Sequence, residues 1–237
     1  MRVKRWAPAI ASLANAAAGF TACAFAVTGA VELGALMVLI AVLLDSLDGA
    51  LARSLQADSE FGAELDSLAD AVSFGVAPAL LVGSLLSPSV SRIGWALICT
   101  YPLCVVWRLA RFNTRHASGA GGHGVFYGLP STGAGAALVT AVLVYTRIEP
   151  LSHVGTFSLT ALVVLLGSLT VSRITYRHAG VMVSRLAPMT AALLAVLFIA
   201  GSVMWEYEYM FGVLTWAYAL SGPLAAATEK IRAVRHA

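Results

Sequence analysis

About eight runs of mainly apolar residues, each on the order of 20 residues long, follow one another down this chain of 237 residues. A helix of that length reaches across the hydrocarbon layer of a bilayer. The runs fall near 8–28, 32–53, 66–87, 93–111, 129–147, 153–172, 187–204 and 210–228. Only 11% of the residues are charged and 59% are hydrophobic, where a soluble domain carries roughly a quarter charged residues. One compact soluble core cannot bury that much apolar surface, so the bilayer is the solvent for most of it. The sequence therefore predicts an all-α, polytopic transmembrane helical bundle of about eight spans, with residues 1–237 forming a single integral membrane domain.

The basic residues are distributed unevenly about those spans. Eight spans put both termini on one side, and both are basic: Arg2, Lys4 and Arg5 at the start, Lys230, Arg232 and Arg235 at the end. Loops on that side hold Arg53, Arg111, Arg115, Arg173, Arg177 and Arg185. The opposite loops hold Arg92 and Arg147, alongside Glu32, Glu149, Glu206 and Glu208. The positive-inside rule then places both termini in the cytoplasm of an inner-membrane protein. Trp205, Tyr207, Tyr209 and Trp216 cluster where an outer aromatic belt would lie. The basic start resembles that of a signal peptide, but its apolar run continues to about Thr28, which reads as a first span. A net charge of only +3 calls for no nucleic-acid partner. Cys23, Cys99 and Cys104 all sit in apolar stretches without metal-ligand spacing and read as small core residues.

Four carboxylates contradict the apolar pattern. Asp45 and Asp48 lie towards the end of the second span, and Asp66 and Asp70 at the start of the third. A charged Asp deep in a bilayer costs roughly 2.5–3.5 kcal/mol on insertion scales. The spacings i,i+3 and i,i+4 put each pair on one helix face, and antiparallel neighbours would bring both pairs to the same cytoplasmic end. Cations would offset such a concentration of charge. Oxygen-only ligands favour Mg²⁺ or Mn²⁺ over zinc, and four carboxylates can hold two such ions, the arrangement that clamps attacking and leaving oxygens in phosphoryl chemistry. The same aspartates would also suit a transporter's proton or cation relay, and Asp66 and Asp70 could be interfacial helix caps.

The residues between the pairs narrow these readings. They spell Asp45-x2-Asp48-Gly49-x2-Ala52-Arg53-x8-Gly62-x3-Asp66-x3-Asp70. Small residues beside a charged site let a ligand or a neighbouring backbone come close, and Arg53 offers a fork suited to phosphate. The whole pattern resembles the signature of the CDP-alcohol phosphotransferase family, whose members transfer a phosphoalcohol from a CDP-linked donor to an acceptor hydroxyl and release CMP. That resemblance implies two divalent cations, Mg²⁺ or Mn²⁺, on Asp45, Asp48, Asp66 and Asp70. It also implies Asp70 as general base, Gly49, Ala52, Arg53 and Gly62 along the CDP site, and a homodimer. A transporter would have no need of the Gly49, Arg53 and Gly62 frame.

Further stretches narrow the acceptor. Ser12-x2-Asn15-x3-Gly19-Phe20 is similar to a pattern of phosphatidylserine-forming members, and it adds Asn15 to the CDP site. So are the stretch EFGAELDSLADAVSFGVAP, with its Ser73-Phe74-Gly75, the run Arg108 to Asn113, and Gly128-Leu129-Pro130-Ser131. The resemblance covers roughly residues 10 to 140, giving a catalytic core at 8–147 and additional spans at 153–228. It implies CDP-diacylglycerol and L-serine as substrates, with Ser73, Arg108, Arg111 and Asn113 as candidates for the acceptor pocket. A cation for the serine carboxylate would come from Arg108 or Arg111; glycerol phosphate, inositol phosphate or an ether-lipid donor remain alternatives within the same chemistry. Two residues depart from the pattern: Ser12 stands where Thr is usual, and Thr132 stands where a proline commonly follows Pro-Ser.

Overall fold

The computed structural model describes residues 3–55, 59–87, 90–117, 125–147, 153–177 and 207–235. Helix α1 spans Val3–Thr28 and turns through Gly29 and Ala30 into α2, Val31–Leu55. The two pack closely through small residues: Ala22, Ala26, Ala35 and Val38 are buried in the core. Small side chains let backbones approach where lipid offers no hydrophobic drive between helices. Next come α3, Glu60–Asp70, and α4, Ala77–Leu86, joined without a break by a π-helical segment, Ala71–Val76. Ser59 caps α3, its Oγ accepting the Gly62 N–H at 3.1 Å.

The π-segment has an identifiable cause. Pro78 lacks the N–H that would bond the carbonyl one turn back, that of Phe74. The Tyr101 hydroxyl donates to that carbonyl instead, at 3.0 Å. Neighbouring helices press close: a Cβ on Gly19 would stand 2.8 Å from the Cα of Ser73, and one on Gly135 would stand 3.0 Å from the Cβ of Phe74. Wider turns of this kind occur most often at functional sites, and this one begins one residue after Asp70.

Helix α5 spans Arg92–Ala117, α6 Ser131–Arg147, α7 His153–Val171 and α8 Tyr207–Arg235. The central helices bury Phe74, Leu81, Tyr101, Val105, Leu138 and Leu166 in one core. Phe20, Leu47, Leu103, Trp107, Phe157 and Leu214 are each more than half exposed, a perimeter that suits lipid tails. Among the described residues, four helical stretches are long and apolar enough to cross a membrane: Ala9–Thr28, Glu60–Leu86, Arg92–Thr114 and Tyr209–Thr228. The chain is a mostly helical membrane protein. Among the described residues the helices overlap the expected spans, but α1 and α3 start five and six residues early, and α5 and α8 run six and seven residues past their expected ends. The expected span at 187–204 lies outside the described residues.

One feature departs from the all-α expectation. Strands β1, Val125–Tyr127, and β2, Thr175–Arg177, pair antiparallel with Phe126 opposite Tyr176. The ribbon is followed by Gly128 at φ +84°, a conformation that favours glycine, whose N–H donates to the Ile174 carbonyl at 2.8 Å. The Leu129 N–H donates to the Leu169 carbonyl at 3.0 Å. Tyr176 is buried and donates to the Ala219 carbonyl of α8 at 3.0 Å. The segment leading into α6 is thereby tied to the end of α7 and to α8.

Candidate active site

The site is assembled where α1, α2, α3, α5 and α6 converge. Asp45 comes from α2, and Asp66 and Asp70 from one face of α3; each offers a carboxylate oxygen within 4.8 Å of the others. The i,i+4 spacing of the α3 pair and the proximity of α2 therefore produce the expected cluster from three of the four aspartates. The side chains of Asp48, Ala52 and Arg53 lie outside the described residues, although all three belong to α2. Gly49 is half-buried on the same helix, and Gly62 sits in the first turn of α3 against its cap.

Asp70 is the most enclosed of the three carboxylates. Asn15 of α1 donates from Nδ2 to its Oδ1 at 3.3 Å, and Ser131 of α6 donates to its Oδ2 at 3.1 Å. Arg108 of α5, also buried, donates from Nη1 to the Ser131 Oγ at 3.1 Å. Arg108, Ser131 and Asp70 thus form a chain of hydrogen bonds, and Asp70 and Asp45 are both charged neighbours of the guanidinium. Thr132, next in α6, donates to the Asp45 Oδ2 at 3.1 Å.

The other expected site residues are employed differently. Ser73 is buried and its hydroxyl donates to the Asn15 carbonyl at 2.9 Å, fixing α1 against the π-segment. Asn113 exchanges hydrogen bonds with Ser67, which lies between the α3 aspartates in sequence, at 3.1 and 3.2 Å. Arg111 donates to the carbonyls of Val171 at 3.0 Å, Tyr127 at 3.1 Å and Ser172 at 3.4 Å. Its guanidinium joins the C-terminal end of α7 to β1. Ser131, Thr132 and Ser67 bear on the aspartates but carry no isolated sequence signal. Ser67 and Ser131 belong to stretches that resemble the family, and Thr132 is a departure from its pattern.

The donor set fits hard divalent cations. Three carboxylates converge, two of them beside the buried Arg108 guanidinium, and the Asn15 Oδ1 and Arg108 Nε are buried without a hydrogen-bond partner among the described residues. Buried polar atoms left in that condition are costly unless a ligand or water completes them. Carboxylate and amide oxygens are ligands for Mg²⁺ or Mn²⁺.

Fold and site together define a helical membrane protein with a cluster of carboxylates built into its bundle. A family profile for CDP-alcohol phosphatidyltransferases matches residues 5–148, more than half of the sequence, and the chain belongs to that family. It is similar to the CDP-diacylglycerol–serine O-phosphatidyltransferase of Mycobacterium tuberculosis strain H37Rv, at 43% identity over 128 residues, covering 52% of this chain and 44% of the relative. The enzyme of that name from Bacillus subtilis strain 168 is 38% identical over 129 residues, covering 54% of this chain and 70% of the relative. That from Helicobacter pylori strain 26695 is 36% identical over 140 residues, covering 59% and 58%. The chain thus spans less than half the length of the mycobacterial relative it matches.

Proposed function

We propose that this chain transfers the phosphatidyl group of CDP-diacylglycerol to the hydroxyl of L-serine, giving phosphatidylserine and CMP. The observation that carries the reading is the convergence of Asp45, Asp66 and Asp70 within 4.8 Å, inside the stretch that the family profile matches. Serine as acceptor is supported by the names of the relatives and by Arg108, the one buried arginine beside the carboxylates among the described residues. A phosphorylated acceptor would call for more positive charge than Arg108 supplies.

In this reading Asp45, Asp48, Asp66 and Asp70 hold two divalent cations. Bound there, the ions supply positive charge to the diphosphate and to the departing CMP. The residues of the chain do the rest. Asn15 and Ser131 hold the Asp70 carboxylate from either side, leaving it oriented to take the proton of the serine hydroxyl. The hydroxyl oxygen forms its bond to the phosphatidyl phosphorus as the bond from phosphorus to the CMP oxygen breaks, and CMP leaves with the electron pair. Gly49, Ala52, Arg53, Gly62 and Asn15 form the CDP side. Arg108 faces the serine carboxylate, while Ser73, Arg111 and Asn113 form the wall that steadies the pocket. The site faces the cytoplasm of the inner membrane, with both termini on that side, in an eight-span bundle that works as a homodimer. The basic loops support that orientation.

The test is CMP release by the purified protein in detergent, given CDP-diacylglycerol and Mn²⁺ or Mg²⁺, with and without L-serine. Serine-dependent release abolished by EDTA is the expected result. Release only with another alcohol keeps the transfer chemistry and overturns serine; no release with any acceptor, from folded protein, overturns the enzymatic reading.

A further inference from the structure

The first turn of α6 presents two hydroxyls in succession, and each goes to a different carboxylate. Ser131 donates to Asp70 and Thr132 donates to Asp45, both at 3.1 Å, across 61 and 87 residues of sequence. Adjacent Cα atoms are fixed about 3.8 Å apart by the planar peptide. A pair of neighbouring donors therefore acts as a spacer of set width between the carboxylates of α2 and α3. The spacer is itself held firmly. The N–H groups of Gly128 and Leu129 are bonded to the Ile174 and Leu169 carbonyls, and α6 meets the π-segment closely at Gly135, where a Cβ would stand 3.0 Å from the Phe74 Cβ. Arg108 secures Ser131 from a further side; among the described residues the Thr132 hydroxyl donates to Asp45 alone.

Resting on the metal-site reading above, we propose that Thr132 is a positioning residue for Asp45: its hydroxyl holds the α2 carboxylate in the orientation that a divalent ion requires. A freely rotating Asp45 would have to be ordered each time an ion bound, whereas a hydrogen-bonded one is already in place. A proline at this position has neither hydroxyl nor N–H, so the departure at Thr132 adds a donor to the aspartate cluster. Thr132 touches no reacting atom in this account; it acts through Asp45.

The experiment is Mn²⁺ titration of the full chain in detergent, with free Mn²⁺ read by electron paramagnetic resonance, alongside metal-free thermal unfolding. The proteins are wild type, Thr132→Val, Thr132→Ser and Asp45→Asn. Removal of outer hydrogen bonds to metal ligands typically weakens binding 10- to 100-fold. Thr132→Val is expected to weaken Mn²⁺ binding about tenfold with the metal-free melting temperature unchanged, and Thr132→Ser to restore wild-type affinity. Wild-type Mn²⁺ affinity in Thr132→Val, with binding lost in Asp45→Asn, overturns the positioning role and leaves the metal site standing. Unchanged binding in Asp45→Asn overturns the metal site and the positioning role together. Equal loss of affinity and melting temperature in both Thr132 variants reduces the residue to packing and overturns the inference.

Discussion

Helices α3 and α4 continue one another from Glu60 to Leu86, yet they are built on opposite terms. The eleven residues of α3 include Glu60, Glu64, Asp66 and Asp70, and its buried members are Ala69 and Asp70. The ten residues of α4 carry no charge, and seven of them are buried. α3 is held in register by polar partners on other helices: Asn15 and Ser131 on Asp70, Asn113 on Ser67. α4 is held by filled space, with Leu81 fully buried against Gly34. The π-segment lies at the joint and takes up the change. The carboxylates are thus concentrated in a stretch that contributes little packing, and the packing in a stretch without charge.

That division predicts different losses on the two sides. Asp70→Asn should lower CMP release by roughly 10²- to 10⁴-fold, the range for a lost proton-transfer group, while the melting temperature stays close to wild type. Activity near wild type would remove Asp70 from the chemistry. Leu81→Ala should show the reverse, costing about 2 kcal/mol or more of stability by cavity formation with kcat of the folded fraction retained. A fall in kcat at undiminished stability would break the comparison. At the joint, Tyr101→Phe leaves the Phe74 carbonyl short of a donor. About 1 kcal/mol of stability should be lost, measured by denaturant titration in detergent, with a modest fall in turnover because Asp70 adjoins the loosened segment. The smallest effect is expected at Ser67→Ala, about 0.6 kcal/mol for one interhelical hydrogen bond. A larger loss there would show that the Ser67–Asn113 pair carries more of the α3 register than Asn15 and Ser131 do.

The two arginines of α5 allow a finer comparison. They stand three residues apart; Arg108 faces the carboxylates and Arg111 the backbone carbonyls of β1 and α7. Arg108→Gln is expected to raise KM for serine several-fold, and Arg111→Gln to lower the melting temperature with KM nearly unchanged. Steady-state kinetics and thermal unfolding of the same two preparations distinguish the roles.

Helix positions and the acidic cluster were legible because both depend on local periodicity. Runs of about twenty apolar residues report a long helix wherever they pack, and i,i+4 spacing puts Asp66 and Asp70 on one face in any helix. What escaped was tertiary in origin. The π-segment depends on Pro78 withholding an N–H, on Tyr101 supplying a hydroxyl from another helix, and on Gly19 and Gly135 leaving room. Only Pro78 is a local signal, and a helix near its own start tolerates proline. Ser131 and Thr132 reach Asp70 and Asp45 from 61 and 87 residues away, a pairing that no window of sequence contains. The ribbon was hidden because three-residue strands are too short for an alternating pattern to emerge. Arg111 was legible as a cation but not as a clamp, since its acceptors are backbone carbonyls with no residue identity.

The ribbon bears on where the protein can be divided. The family profile match ends at residue 148, but β1 lies before that point and its partner β2 after it. The same is true of Arg111 with its Val171 and Ser172 acceptors, and of Gly128 and Leu129 with Ile174 and Leu169. A piece cut after α6 would keep every aspartate and lose the ties that hold the first turn of α6 against them. The stretch that the family profile covers is therefore tied by hydrogen bonds to residues beyond it, and a fragment meant to keep the first turn of α6 in place has to be cut outside those bonds.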